Sequence, residues 1–378
     1  HFEIVIILIS SLDKIDIYLL YTVISTVNEE LQINCHGKYL RNNDMLNFDL
    51  LLNNYQELNK LILSKNNIVD VTMFIDLNNL EDLNLSKNVL RTFDNSLLEI
   101  LPTMVSLNLS YNHINSVEHT MNQTILKINM LDLSHNNISS LPKKFSELLI
   151  NLQYLDLSFN RIQSLQDCNL IHLNSLKVLY VNNNFLVTLN IQILPKTLIK
   201  LYIGYNQIME INNLSHIEVL SIEHNKISQL YSNLTVNSLQ YMNISGNILS
   251  SFPNILFKNL KILDISNNKF TYIPEEISIK NFPLLLQLKV NKNPIQNLTI
   301  LSDLKLNSFD ASNITNLRSL SKNCINITIS NNKMLTFIHE DALKHMNLCS
   351  LDLSNNQFSY VTRKLIKVFL AYSNIKYE

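Results

Sequence analysis

Few side chains in this sequence are spaced for covalent chemistry. Cys35, Cys168, Cys324 and Cys349 lie far apart and form no CxxC pair, which excludes a zinc ribbon or a thioredoxin-type centre. Cys324 and Cys349 fall in neighbouring sequence units and either pair or remain as buried thiols that act as small hydrophobes. His339, Glu340 and His345 do not place two imidazoles on one helical turn as HExxH does, and no GxSxG elbow occurs. The 378 residues include three glycines, Gly37, Gly204 and Gly246, where average usage predicts about 26. No two are close enough for a GxGxxG turn or a Walker A loop, so phosphate cradles of those types are excluded.

Two other sets of side chains invite a reading. Asp132, Asp156, Asp264 and Asp352 recur in LDLS or LDIS contexts. They form either a comb for a hard cation or, the reading preferred here, a row of solvated carboxylates; no metal and no cofactor is expected. Tyr154, Tyr180, Tyr202 and Tyr241 fall at outward strand positions, with Phe159 and Tyr205 at the strand exits beside them. Rings on a rigid sheet give large contact area at low entropic cost. They serve either as a ligand-binding surface or as a shield of rings stacked on one another. Charged residues are only 16% of the chain and the net charge is −1, so no bulk field draws nucleic acid or an anionic membrane. Neither is an expected partner, and membrane attachment would need parts outside this chain.

A repeat positions these side chains. Leu58-x-x-Leu61-x-Leu63-x-x-Asn66 returns as Leu80-x-x-Leu83-x-Leu85-x-x-Asn88 and continues to Leu348-x-x-Leu351-x-Leu353-x-x-Asn356. Its asparagines are Asn66, Asn88, Asn112, Asn136, Asn160, Asn184, Asn206, Asn225, Asn247, Asn268, Asn293, Asn332 and Asn356, with one weak unit at Leu306/Phe309/Ala311, where Ile314 stands for Asn. Successive asparagines are mostly 21 to 25 residues apart, with one step of 19. Apolar alternation over Leu61 and Leu63 is the period of a strand. One short strand per unit predicts a parallel sheet, with the asparagines laddered at the turn, where a carboxamide offers donors and an acceptor to orphan backbone groups. On the return limb, Ile75, Leu97, Met121, Phe145 and Ile193 lie nine residues past an asparagine, a pattern that Asn169 breaks.

This pattern resembles the leucine-rich-repeat superfamily, and within it the animal extracellular arrays of chaoptin-like and Toll-like receptor type. The resemblance implies an α/β solenoid, a curved horseshoe with a parallel concave sheet and an irregular, 3-10 or short-helical convex side. Residues 58–378 form an array of about fourteen repeats, residues 28–57 an N-terminal cap region around Cys35, and residues 1–27 a signal-peptide remnant or another apolar N-terminal segment. No cysteine cluster follows Asn356, and an uncapped end is sticky, so the natural protein is expected to continue past residue 378. The implied function is non-catalytic recognition through the concave face, by a receptor, an adhesion molecule or an immune factor at the cell surface or outside the cell. The implied partner is a protein or a cell-surface or microbial ligand, with a homodimer as a further arrangement. The alternative is a cytoplasmic scaffold or regulatory subunit. An enzyme whose catalytic domain lies outside these residues is a third class that nothing within them supports. Ten N-x-S/T sequons occur, of which Asn122 and Asn233, off the strands, are the glycosylation candidates.

Overall fold

The computed structural model describes residues 23–27, 30–41, 58–71, 77–94, 97, 100–118, 126–142, 145–146, 149–166, 170–211, 214, 216–232, 234, 236–295, 304–312, 326–332, 350–373 and 376–377. Met121, Asn122, Cys168, Asn169, Asn233, Ile314, Cys324, His339, Glu340, His345 and Cys349 lie outside the described residues. The chain divides into two units, 1–186 with 192–198 and 187–191 with 199–378.

In the first unit, Val23–Val27 pairs antiparallel with Glu30–Asn34, which pairs in parallel with Leu58–Ile62. Asp82–Asn84, Ser106–Asn108, Met130–Asp132, Tyr154–Asp156 and Val178–Tyr180 extend the sheet, all parallel and without register slip. The second unit stacks Lys200–Tyr202, Val219–Ser221, Tyr241–Asn243, Ile262–Asp264, Gln287–Lys289, Ser308–Asp310, Asn326–Thr328, Ser350–Asp352 and Lys376–Tyr377 in the same way. Each unit is a parallel-strand solenoid. The middle residue of the three-residue strands, such as Leu83, Leu131, Leu201 or Met242, is buried, as is the next apolar residue at Leu85, Leu133, Ile203 and Ile244. Return limbs pack Leu97, Leu141, Phe145, Phe257, Phe270 and Phe282 behind the sheet. One pair of limbs forms a second small sheet, Thr92–Asp94 beside Ser116–Glu118. Past the last asparagine, Tyr360–Ser373 is an α-helix. The Ser359 hydroxyl accepts from the Thr362 N–H at 3.2 Å, an N-cap, and Thr362, Ile366 and Leu370 form its buried stripe.

The asparagines tie each turn to the one before. The Asn136 amide donates to the carbonyls of Leu109 in the preceding repeat and of Leu133 and Ser134 in its own, at 3.0, 3.1 and 3.0 Å. Its oxygen accepts from the Ile114 N–H of the preceding repeat at 3.0 Å. Asn88, Asn112, Asn160 and Asn184 make equivalent bonds within the first unit, and Asn225, Asn247 and Asn268 do so within the second. Asn66 applies the same carboxamide to the N-terminal segment, donating to Cys35 O and accepting from Lys38 N and Leu40 N.

The residue before every one of these asparagines is left-handed. Lys65, Lys87, Tyr111, His135, Phe159, Asn183, Tyr205, His224, Asn267, Lys292, Asn331 and Asn355 have φ between 51° and 59°, and Gly246 has φ 65°. A side chain in that region costs roughly 1–2 kcal/mol, and here the flanking bonds hold it there. The strand's last residue closes a turn as the conformation begins: Asp132 Oδ1 accepts from the Ser134 N–H at 2.9 Å, and Asn84, Asn108, Asp156, Asn243, Asp264 and Asp352 do likewise. The aspartate row is therefore not a set of solvated carboxylates, as its sequence context suggested. One oxygen of each, Oδ1, caps a turn, and while Asp132, Asp156 and Asp352 are half-buried, Asp264 is 8% exposed. Asn243 is likewise a turn-closing residue.

Left-handed residues in register project side by side at close to the strand spacing, about 4.8 Å, which is stacking distance. Tyr111 and His135 stack with ring centroids 3.9 Å apart, and His135 and Phe159 at 4.0 Å. The Lys87 ammonium lies 5.3 Å from the Tyr111 ring centre. In the second unit Tyr205 stacks on His224 at 4.4 Å. Gly246 lies against the other side of the His224 ring, whose Nδ1 would come within 2.7 Å of a Cβ there.

Two predictions follow from the ladder and the stack. Asn136→Ala leaves buried backbone groups unpaired and is expected to cost ~1–3 kcal/mol. Asn137→Ala, one residue along and on none of those bonds, should change stability by under ~0.5 kcal/mol; equal losses in denaturant melts would refute the ladder's role. Burial holds the His135 imidazole below its ordinary value, against the raising influence of Asp156 and Asp132. The folded state thus takes up this proton less readily than the unfolded chain. Its contribution is whole above the unfolded value and is lost as pH falls through the folded one. His135→Tyr places at this position a ring that Tyr111 and Tyr205 already carry at the same φ. Its melting temperature should fall less than the wild type's between about pH 7.5 and pH 5; identical falls would remove His135 from the pH dependence.

Candidate functional site

The middle strand residue points into the core, so its two neighbours point out, and register aligns them into two columns on the exposed sheet face. In the first unit one column runs Met130, Tyr154, Val178 and the next Asp132, Asp156, Tyr180. Met130 is exposed and the two tyrosines are half-buried. The Tyr154 and Tyr180 rings lie 5.5 Å apart, tilted at 47°. The Tyr154 hydroxyl donates to Asp156 Oδ2 at 3.4 Å, and Asp156 Oδ1 accepts from the Ser158 N–H and hydroxyl at 2.8 and 2.6 Å. Burial, then the neighbouring Asp156, pushes the Tyr154 phenol well above its usual range. Burial also raises the Asp156 carboxyl against its Ser158 bonds, with Asp132 adding to the rise. The patch is aromatic and apolar, over carboxylates of which Asp156 has both oxygens engaged and Asp132 its Oδ1.

In the second unit the columns run Lys200, Val219, Tyr241, Ile262 and Tyr202, Ser221, Asn243, Asp264. Val219 and Ser221, on the strand between those that carry Tyr202 and Tyr241, have shorter side chains than either ring. The Glu223 carboxylate accepts from the Ser221 hydroxyl at 2.6 Å and from the Asn243 amide at 3.3 Å. Burial chiefly, then Asp264, Glu223 and Tyr202, raises the Tyr241 phenol. Asp264 is balanced by Lys289 at 3.6 Å.

The six residues read from sequence divide between the units: Tyr154, Phe159 and Tyr180 in the first, Tyr202, Tyr205 and Tyr241 in the second. Tyr154, Tyr180, Tyr202 and Tyr241 stand on the outward columns and are half-buried. Phe159 and Tyr205 occupy the left-handed positions and are 46% and 50% exposed. Sequence reading passed over Met130, Glu223 and His224. A signal for Glu223 was available. Most repeats carry serine directly after the second apolar strand residue, as at Ser64, Ser86, Ser110, Ser134, Ser158, Ser245 and Ser266, whereas Gly204 and Glu223 replace it in consecutive repeats. Among the described residues no group of three or more His, Cys, Asp or Glu side chains is arranged to hold a metal ion.

Comparison with known proteins agrees with this architecture. Leucine rich repeat profiles match residues 56–114, 127–148, 151–173 and 259–279. Lumican of Oryctolagus cuniculus is 31% identical over 129 residues, covering 32% of this chain and 66% of that protein. Human lumican is 30% identical over 131 residues, covering 32% of this chain and 38% of that protein. The chain therefore spans less than two thirds of these curated relatives. Among solved structures, a leucine-rich-repeat protein of Leptospira interrogans superposes with a TM-score of 0.69 at 23% identity, covering 91% of this chain and 94% of that one. The TLR13–ssRNA13 complex gives a TM-score of 0.70 at 19% identity, covering 91% of this chain and 60% of that one. With its repeat, its asparagine bonds and these likenesses, the chain belongs to the leucine-rich-repeat superfamily.

Proposed function

We propose that this chain is a non-catalytic recognition module that binds a protein or a surface ligand through the outward face of its sheet, as part of a secreted or cell-surface receptor or adhesion protein, with innate immunity as one setting. The observation that carries the reading is the pair of tyrosine patches, Tyr154 with Tyr180 and Tyr202 with Tyr241. The hydrogen-bonded strands fix their backbone, so contact costs little further ordering. Glu223 and the aspartates on the same face disfavour a phosphate backbone, so a nucleic acid, of the kind complexed with TLR13, is not the proposed ligand. The lumican likeness supports an extracellular setting.

The binding surface is tested with a random peptide library displayed on phage and panned against the full chain. Aromatic anchors cost ~2 kcal/mol or more when truncated at an interface centre. Enriched peptides should therefore bind at least about tenfold more weakly to Tyr154→Ala/Tyr180→Ala or to Tyr202→Ala/Tyr241→Ala, while the return-limb change Lys258→Ala has no effect. Peptides that bind both double variants normally would place recognition elsewhere. The setting is tested by expression through an insect secretory route. Secretion with a mass increase that a glycosidase removes, and that shrinks in Asn122→Gln and Asn233→Gln, is the expected result. A chain retained in the cytosol and unglycosylated would favour the scaffold reading.

A further inference from the structure

Glycine is nearly absent from this chain, yet Gly204 stands where the repeat normally places serine. A Cβ at Gly204 would collide with the Glu223 carboxylate, which lies directly over it. The next repeat has exchanged the same serine for Glu223 itself. The two departures are complementary: one repeat supplies the carboxylate and the preceding one removes the side chain that would block it. The fold requires neither, since serine serves at this position in most repeats and Asn182 in the repeat before Gly204.

The carboxylate so placed is unbalanced. Its bonds to Ser221 and Asn243 come from neutral donors, and among the described residues it makes no ion pair, whereas Asp264 on the same face has Lys289 and Asp82 has Lys60. Ser221 and Asn243 hold it beside the central strand, with Tyr202 and Tyr241 on the flanking strands. A fixed anion beside aromatic rings favours a cation, through a charge-assisted hydrogen bond to the carboxylate and attraction to the ring faces.

We infer that Glu223, seated on Gly204 and flanked by Tyr202 and Tyr241, is a specificity-determining residue that receives a lysine or arginine side chain of a protein partner. This inference rests on the proposal that the outward sheet face binds the ligand, and it names the chemistry recognised there.

The test uses peptides enriched on the full chain from the same displayed library. Those dependent on Tyr202 and Tyr241 should share a Lys or Arg, and replacing it with Gln should weaken binding at least about tenfold. Glu223→Gln should cause a similar loss, and combining the two changes should add little to either alone. Gly204→Ala, which keeps the charge but displaces the carboxylate, should also weaken binding; it serves as the second variant should Glu223→Gln lower the melting temperature. Peptides that require Tyr202 and Tyr241 but carry no basic residue, or that bind Glu223→Gln and Gly204→Ala as tightly as wild type, would overturn this inference and leave the sheet-face proposal standing. Peptides indifferent to every sheet-face substitution would overturn both.

Discussion

Every feature of this protein depends on a problem at the strand exit. After three residues of parallel sheet the chain must leave the strand while its backbone groups are already buried. A buried backbone group without a partner costs about as much as a lost hydrogen bond. The asparagine amide answers by bonding carbonyls of its own turn and the one before, and its oxygen takes an N–H from that earlier turn. The turn that delivers it requires a left-handed residue immediately before it, and twelve non-glycine side chains accept that conformation. The local cost is carried by bonds that exist only when the neighbouring repeat is in place, so the array is stable as a stack.

The same arrangement makes the surface addressable. The ladder fixes strand register, register aligns outward side chains into columns, and the left-handed position adds a column at the sheet's margin. A residue type chosen in one repeat therefore meets a known neighbour in the next. The stack of Tyr111, His135 and Phe159 and the seating of Glu223 on Gly204 are both pairings of this kind, across repeats and at one template position. Function can thus be written into departures from the template without disturbing what holds the solenoid together.

The repeat period, the buried leucines and the asparagine positions were legible because each recurs many times with one residue type. The left-handed column was not, because Lys, Tyr, His, Phe and Asn share no propensity that marks it; neighbouring bonds impose the conformation. The aspartate row was misread because a carboxylate on an outward strand position looks solvated until the turn that folds the Ser134 or Ser158 N–H back onto it is in view. Helix Tyr360–Ser373 was passed over because its buried stripe of Thr362, Ile366 and Leu370 is narrow and follows directly on a template whose periodicity is different. Of the candidate site, the tyrosines were visible as residue types, but their separation into two patches depends on which repeats pack as one unit.

The solved structures that superpose on most of this chain share under a quarter of its residues. That follows from the division of labour between the ladder and the columns. The leucines and asparagines are what the backbone bonds and core packing demand, so any sequence supplying them converges on this fold. The outward columns face solvent and are free of that demand, so likeness in fold carries no information about them. Their meaning has to come from physical complementarity within this chain. Gly204 is informative for that reason: where the template offers serine at no cost, a residue that removes a side chain has its explanation in the neighbour it admits, and that neighbour is an anion facing solvent.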